Sequence, residues 1–148
     1  MVLEKRREVL DEAQRGLAER ERSVAEEAQQ LAVCEKRLAA ARTALADEQC
    51  VGRGALLDVG RLMELEAYLI RCEGAVAAQV ACLESARKQA DEARAVVISA
   101  HQEVRALEVV LEARVAARAD EARRRETREA DEVAARVHAR GQGGGSLA

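Results

Sequence analysis

Along the first helix-forming stretch an apolar residue recurs at every seventh position: Leu3, Leu10, Leu17, Val24, Leu31, Leu38 and Leu45. A strict seven-residue repeat marks a coiled-coil seam, because a 3.5-residue period keeps one side of an α-helix turned toward a partner. From residue 18 onward the position after each repeat residue is Ala (Ala18, Ala25, Ala32, Ala39, Ala46), which predicts a thin seam edged by small side chains. The segment CVGRGALLDVGR, residues 50–61, is the only Gly-rich interior stretch and reads as a turn. The repeat then restarts at Leu62, Leu69, Val76, Leu83, Ala90, Val97, Val104 and Leu111. A second row follows three residues on, at Leu65, Cys72, Gln79, Ala86, Ala93, Ala100 and Leu107. Gly74 interrupts this segment at a cost of about 1 kcal/mol relative to Ala. The phase is the same on both sides of it, which predicts one continuous helix.

The two seams match. Folding the chain back at the turn pairs Leu45 with Leu69, Leu38 with Val76, Leu31 with Leu83, Val24 with Ala90, Leu17 with Val97, Leu10 with Val104 and Leu3 with Leu111. One antiparallel register serves every rung, and independent helices would have no reason to agree in this way. The expected fold is therefore all-α: a long antiparallel two-helix coiled-coil hairpin with an unpaired C-terminal helical extension. Residues 1–140 form this single unit, with helix 1 over about 2–50, the turn over 51–60 and helix 2 over about 61–140. The first helix runs out opposite Leu111, so residues 112–140 overhang by roughly 43 Å at about 1.5 Å per residue. The ending GQGGGSLA, residues 141–148, reads as a flexible tail.

Composition agrees with a rod and excludes several functions. Phe, Trp and Pro are absent, Tyr68 is the only aromatic, and 34% of residues are charged, a profile of long helices and coiled coils. The net charge of -3 is small and mixed in sign, so it favours neither nucleic acid nor an anionic membrane. The opening residues MVLEKRREVLDEAQ lack the apolar core of a signal peptide, and no run is long and apolar enough to insert in a membrane. Cys34, Cys50, Cys72 and Cys82 form no CxxC and have no His at zinc spacing, so they read as reduced thiols in a cytoplasmic protein. His101 and His138 neighbour no plausible nucleophile, and VGRG lacks the Lys-Ser/Thr of a phosphate-binding loop. Neither an enzyme nor a cofactor or metal site is expected.

Two stretches remain as candidate surfaces. The overhang carries charges that pair at i,i+4 (Asp120–Arg124, Glu121–Arg125, Arg125–Glu129), and a weak apolar row returns at Ala130, Val133, Ala134 and Val137. Near the turn, Tyr68, Cys72, Ala75 and Gln79 fall at i, i+4, i+7 and i+11, a row flanking or overlapping the seam. It reads either as seam cover or as a docking row.

These features together resemble the FliJ/YscO stalk proteins of flagellar and type III secretion export ATPases. The layout is similar: a first helix, a short Gly-containing turn and a longer second helix. EAYLIRCEGAVAAQ after the turn resembles the family's aromatic-apolar pair followed by apolar positions, an acid and a Gln-rich end. RETREADEVAARVHAR resembles its charged terminal segment, here with Asp131, Glu132, Val133, Ala134 and Arg136. The resemblance implies a non-enzymatic stalk, similar to the central subunit of rotary ATPases. Such a stalk sits with its open end in the bore of a hexameric export ATPase, promotes assembly and activity of that ring, and links it to the export gate. It further implies ring contacts at Arg123, Arg124, Arg125, Arg128, Asp131, Glu132 and Arg136, and gate contacts at Tyr68, Cys72, Ala75 and Gln79. Some members also escort export chaperones. The stalk is expected to be a monomer when free, cytoplasmic, and peripherally associated with the membrane export apparatus.

A different class stays open from the residues alone. A structural scaffold or spacer would show the same repeats, and its Ala faces suit self-association into a four-helix bundle.

Overall fold

The computed structural model describes residues 1–51 and 58–145. Two helices account for nearly all of them: α1, Val2–Val51, of 50 residues, and α2, Val59–Gly143, of 85 residues. They pack antiparallel as the hairpin the repeats require, and every contact between elements is between these two. At about 1.5 Å per residue, α2 is a rod of roughly 130 Å and α1 covers little more than half of it. Most of the expected turn, and the end of the expected tail, lie outside the described residues.

The helix ends depart from the glycine pattern for local reasons. Asp58 caps α2 with extended backbone, φ -80° and ψ 93°, and its Oδ1 accepts the Arg61 amide at 3.2 Å. The cap starts the helix at Val59, ahead of the boundary near 61, because it satisfies a donor that the first turn leaves free. At the other end α2 runs on through Gly141 and Gly143 to a cap at Gly144, past the boundary expected at 140. Arg140 sits in this last turn, where a cation suits the helix dipole, and Gln142 contacts His138 at 3.1 Å one turn back.

The seam holds small apolar side chains. Leu38, Ala41, Cys72, Leu83, Ala86, Ala90, Ala100 and Val104 are buried, and Leu38, Ala41 and Cys72 form a cluster against which Leu69 and Val76 pack. Leu38 thus lies with Val76, as the register requires. Both repeat rows of α2 turn inward along the hairpin.

In α1 the second inner row is not the Ala row. Ala25, Ala32, Ala39 and Ala46 are exposed, whereas Ala13, Glu27, Cys34, Ala41 and Glu48, three residues after the repeat positions, turn inward. The reason is helical geometry. One residue turns the side chain about 100° away from the seam, while three residues bring it back to within about 60°.

Charged pairs on both flanks hold one register. On one side Arg42 meets Glu73 at 3.8 Å, Glu21 meets Arg94 at 3.5 Å and Arg7 meets Glu108 at 2.9 Å. On the other, Glu48 meets Arg61 at 3.4 Å, Arg20 donates to Gln89 at 2.7 Å and Arg6 to Glu103 at 2.6 Å. Along each flank the steps between pairs are whole heptads, equal on the two helices, so the pairing does not slip. One polar layer crosses the seam itself: Gln79 Nε2 donates to the Glu27 main-chain carbonyl at 3.1 Å and also to the Glu27 carboxylate.

The outermost rung does not close. Leu3 is half-buried, but Leu111 is 41% exposed, and the last inward residues of α2 are Val104, Leu107 and Glu108. No turn of α1 lies beyond Leu3 to cover the outer side of Leu111. Leu38→Ala should therefore cost about 2–3 kcal/mol in urea unfolding, while Leu111→Ala should cost less than about 0.5 kcal/mol. Equal losses would mean that the seam extends to Leu111.

Gly74 lies in unbroken helix with open space where a Cβ would stand. Gly74→Ala should add about 1 kcal/mol to unfolding stability; a loss would show that the glycine is needed for a close approach.

Candidate functional site

The site begins where α1 ends. At this mouth Arg7 Nη2 donates to Glu108 Oε1 at 2.9 Å, and Arg105 reaches Glu108 Oε2 and Glu112 Oε1, each at 3.5 Å. The chain of charges runs from the first helix, across the mouth, onto the free part of the second. Hydrogen bonding by Arg7 holds the Glu108 carboxyl below the usual carboxylate range; desolvation opposes the shift, and Arg105 adds to it.

Beyond the mouth, every residue from 109 to 145 is exposed. This arm contains all seven residues expected to meet an ATPase ring, but they do not converge on one patch. Arg123, Arg124 and Arg125 are consecutive and so point about 100° apart around the helix. Arg123 pairs with Asp120, Arg125 with Glu121 at 2.9 Å, and Arg136 with Glu132 at 3.8 Å. Of the three pairs expected in the sequence only Glu121–Arg125 forms. Asp120 turns to Arg123 instead, and Arg125 is held by Glu121 rather than Glu129. A short aspartate side chain is served by the neighbour three residues on, and the orientation with Glu ahead of the cation is the better one.

Among the described residues, Arg124 and Arg128 have no carboxylate within 4.0 Å. They stand one turn apart beside Asp120, Arg123 and Thr127, around one shallow open groove. Asp131 likewise carries no ion pair among the described residues. These groups are free to bond outward.

The arm has a second feature that the residue pattern only half revealed. Val115, Val133 and Val137, the three valines beyond Leu111, are 67%, 58% and 64% exposed. With Ala119, Ala122 and Ala130 they lie along one side, in steps of four, three and four residues, interrupted by Glu126. The row at Ala130–Val137 was legible on its own. Eleven-residue steps back from Ala130 and Val133 reach Ala119 and Ala122, and two such steps from Val137, through Glu126, reach Val115.

At the other end of the hairpin the row Tyr68, Cys72, Ala75 and Gln79 divides. Tyr68, 42% exposed, and Ala75 are on the surface, whereas Cys72 is buried in the seam and Gln79 bonds across it to Glu27. Arg71 lies over the Tyr68 ring, 5.9 Å from its centroid. Cys34, Arg37, Tyr68, Arg71, Cys72 and Ala75 line an open groove of about 250 Å³. Arg37 and Arg71, which the spacing of the apolar row does not mark, form its basic rim.

The family model for the flagellar FliJ protein matches residues 1–143. The chain belongs to the flagellar FliJ family. No curated protein and no solved structure matches it. FliJ-family membership makes it a structural, export-related protein of the flagellum, and among the described residues no helix is long and apolar enough to cross a membrane.

In this FliJ-family chain the mouth fixes where the arm begins, and its electrostatics have a sign. Because folding lowers the Glu108 pKa, the stabilisation it lends is present above the usual carboxylate range and is lost as pH falls through the lowered value. Arg7→Ala should return the Glu108 titration upward in a carboxyl-detected NMR series and speed amide exchange over the first turns of α1. An unmoved titration would rule out Arg7 as the clasp.

Proposed function

We propose that this protein is the stalk of the flagellar export ATPase, with the arm as the part that enters the hexameric ring. The reading rests chiefly on one observation: a helix that continues far beyond its partner, exposed on all sides, with charges distributed around its circumference. A shaft in a bore meets several subunits at once, and exposed, adjustable ion pairs suit that contact because each is worth only about 0–1 kcal/mol. A broad apolar face would hold it in one position. Arg124 and Arg128 are the strongest ring-contact candidates because their guanidinium groups are not engaged within the arm. Arg123, Arg125, Asp131, Glu132 and Arg136 supply further contacts, exchanging their partners in the helix for partners on the ring.

At the opposite end the tip would meet the export gate. Tyr68 and Ala75, with the basic rim of Arg37 and Arg71, form the contact surface, and Cys72 and Gln79 support it from beneath by fixing α2 against α1. Ring and gate then lie at the two ends of one rigid hairpin, and the protein couples them without chemistry of its own. It acts in the cytoplasm at the face of the export apparatus, and export chaperones are a further partner class.

The test uses the ATPase from the same organism. The double variant Arg124→Glu/Arg128→Glu should abolish stimulation of ATP hydrolysis with helicity by circular dichroism unchanged, since neither residue pairs within the arm. A chain ending at Leu111 should fail to capture the ATPase that the full chain captures. Stimulation that survives the charge reversal would remove the arm from the ring contact.

A further inference from the structure

A single hydroxyl stands in the arm. Thr127 is the only Ser, Thr or Tyr between residues 109 and 145, in a helix built largely of Ala, Arg, Glu, Asp and Val. Threonine is a poorer helix former than Ala, Arg or Glu. Its hydroxyl adds only a bond back to the Arg123 carbonyl, at 2.9 Å, one turn before. Helix stability therefore does not account for a threonine here, but its surroundings suit another use. Thr127 lies on the open groove with Arg123, Arg124 and Arg128, and Asp120 completes the lining. Asp120 is taken by Arg123, which leaves Arg124 and Arg128 without a carboxylate among the described residues. The groove thus joins a hydroxyl that can carry an anion to two guanidinium groups that lack one.

We propose that Thr127 is a phosphorylation site and that Arg124 and Arg128 hold its phosphate. A protein kinase transfers the γ-phosphoryl group of a nucleoside triphosphate. A bond forms between Thr127 Oγ1 and the γ-phosphorus, and the bond from that phosphorus to the β,γ-bridging oxygen breaks. The nucleoside diphosphate leaves, and the hydroxyl proton passes to the base of the kinase. Access is open: every residue from 109 to 145 is exposed, so unwinding a few of them into a kinase breaks only the helix's own bonds. The product brings about −1.5 to −2 charges and three strong acceptor oxygens. Arg124, three residues before Thr127, is on the same side of the helix, and its planar fork matches phosphate oxygens. Arg128 reaches the same groove. Asp131, four residues after Thr127, opposes the phosphate, one carboxylate against two uncommitted cations. Phosphorylation closes onto the arm itself the two arginines left free for an outside partner. That consequence, unlike the site, rests on the ring reading: the phosphorylated arm loses its ring contact, and the stalk is switched off.

The first test is peptide mass mapping of full-length protein purified from the organism's own cells with phosphatases inhibited, which should place a phosphoryl group on Thr127. The second uses the full chain phosphorylated in vitro by a kinase that prefers Arg two and three residues before the acceptor. In a phosphorus NMR titration, the second ionisation of the phosphate should lie below that of free phosphothreonine. Arg128→Gln should raise it and Asp131→Asn lower it further; both variants keep Arg124 and Arg125 ahead of the hydroxyl. The third is stimulation of the ATPase, which should fall to the unstimulated level on phosphorylation and stay unchanged in Thr127→Val. Protein from cells that carries no phosphate on Thr127 in any growth phase would overturn the site. So would a phosphate that titrates as free phosphothreonine and ignores Arg128→Gln. Full stimulation by the phosphorylated chain, where Arg124→Glu/Arg128→Glu gives none, would overturn the switch. Stimulation by both would overturn the ring reading and the switch with it, while the mass map and the titration still decide the site.

Discussion

The seam between α1 and α2 sets everything else in this molecule, and within it the Glu27–Gln79 layer has a particular part. A two-helix seam of Leu, Val and Ala has many near-equivalent registers, because a slip of one heptad puts similar residues opposite one another. Apolar burial supplies stability without choosing among them. A polar pair inside the seam does choose, since sliding leaves a half-buried amide and carboxylate without partners. Gln79 bonded to the Glu27 carbonyl and carboxylate meets that description. The flanking pairs, spaced by whole heptads on both helices, agree with the same register. The register has a consequence at a distance: it decides which residue of α2 stands opposite the end of α1, and so where the arm begins. A slip of one heptad would move the mouth by about 10 Å along the rod.

Much of this was legible in the residues. The heptads gave both helices, their common phase across Gly74, the antiparallel register and the overhang, because a seam repeat is a long-range pattern that tolerates local noise. What was not legible depended on rotation about the helix axis or on single side chains. The Ala row of α1 is as regular as the true second row, and composition favours it, yet it lies a third of a turn away from the seam. The true row mixes Ala13, Glu27, Cys34, Ala41 and Glu48, so its apolar character is broken by the two carboxylates that serve register and flank. The same rotation splits the row at the tip: four residues at helical spacing share a stripe, but the seam takes Cys72 and Gln79 while Tyr68 and Ala75 remain outside. Capping at Asp58 and the choice of Arg123 by Asp120 are short-range competitions that periodicity does not register.

The change of period near Leu111 connects fold to function. Up to that point apolar residues step by seven and the helices wind around each other; beyond it they step by eleven and the helix has no reason to wind. The chain thus carries a supercoiled, register-locked half and a straight, exposed half on one continuous α2. The mouth network of Arg7, Glu108, Arg105 and Glu112 lies where one regime gives way to the other. Its ion pairs are open to solvent on at least one side and individually weak, so they hold the end of α1 in place without adding an apolar surface next to the arm.

The arm's composition reconciles two demands that would otherwise conflict. A helix of this length without a partner must be soluble, which calls for charge, and it must still offer something to bind, which calls for apolar surface. Placing Val115, Val133 and Val137 on one side and the arginines around the rest meets both. Glu126 interrupts the row midway, so the arm presents two short apolar patches separated by a carboxylate and not one continuous face. A partner that covers both patches must also meet that carboxylate, and a cation or a hydrogen-bond donor there avoids the cost of burying it unpaired.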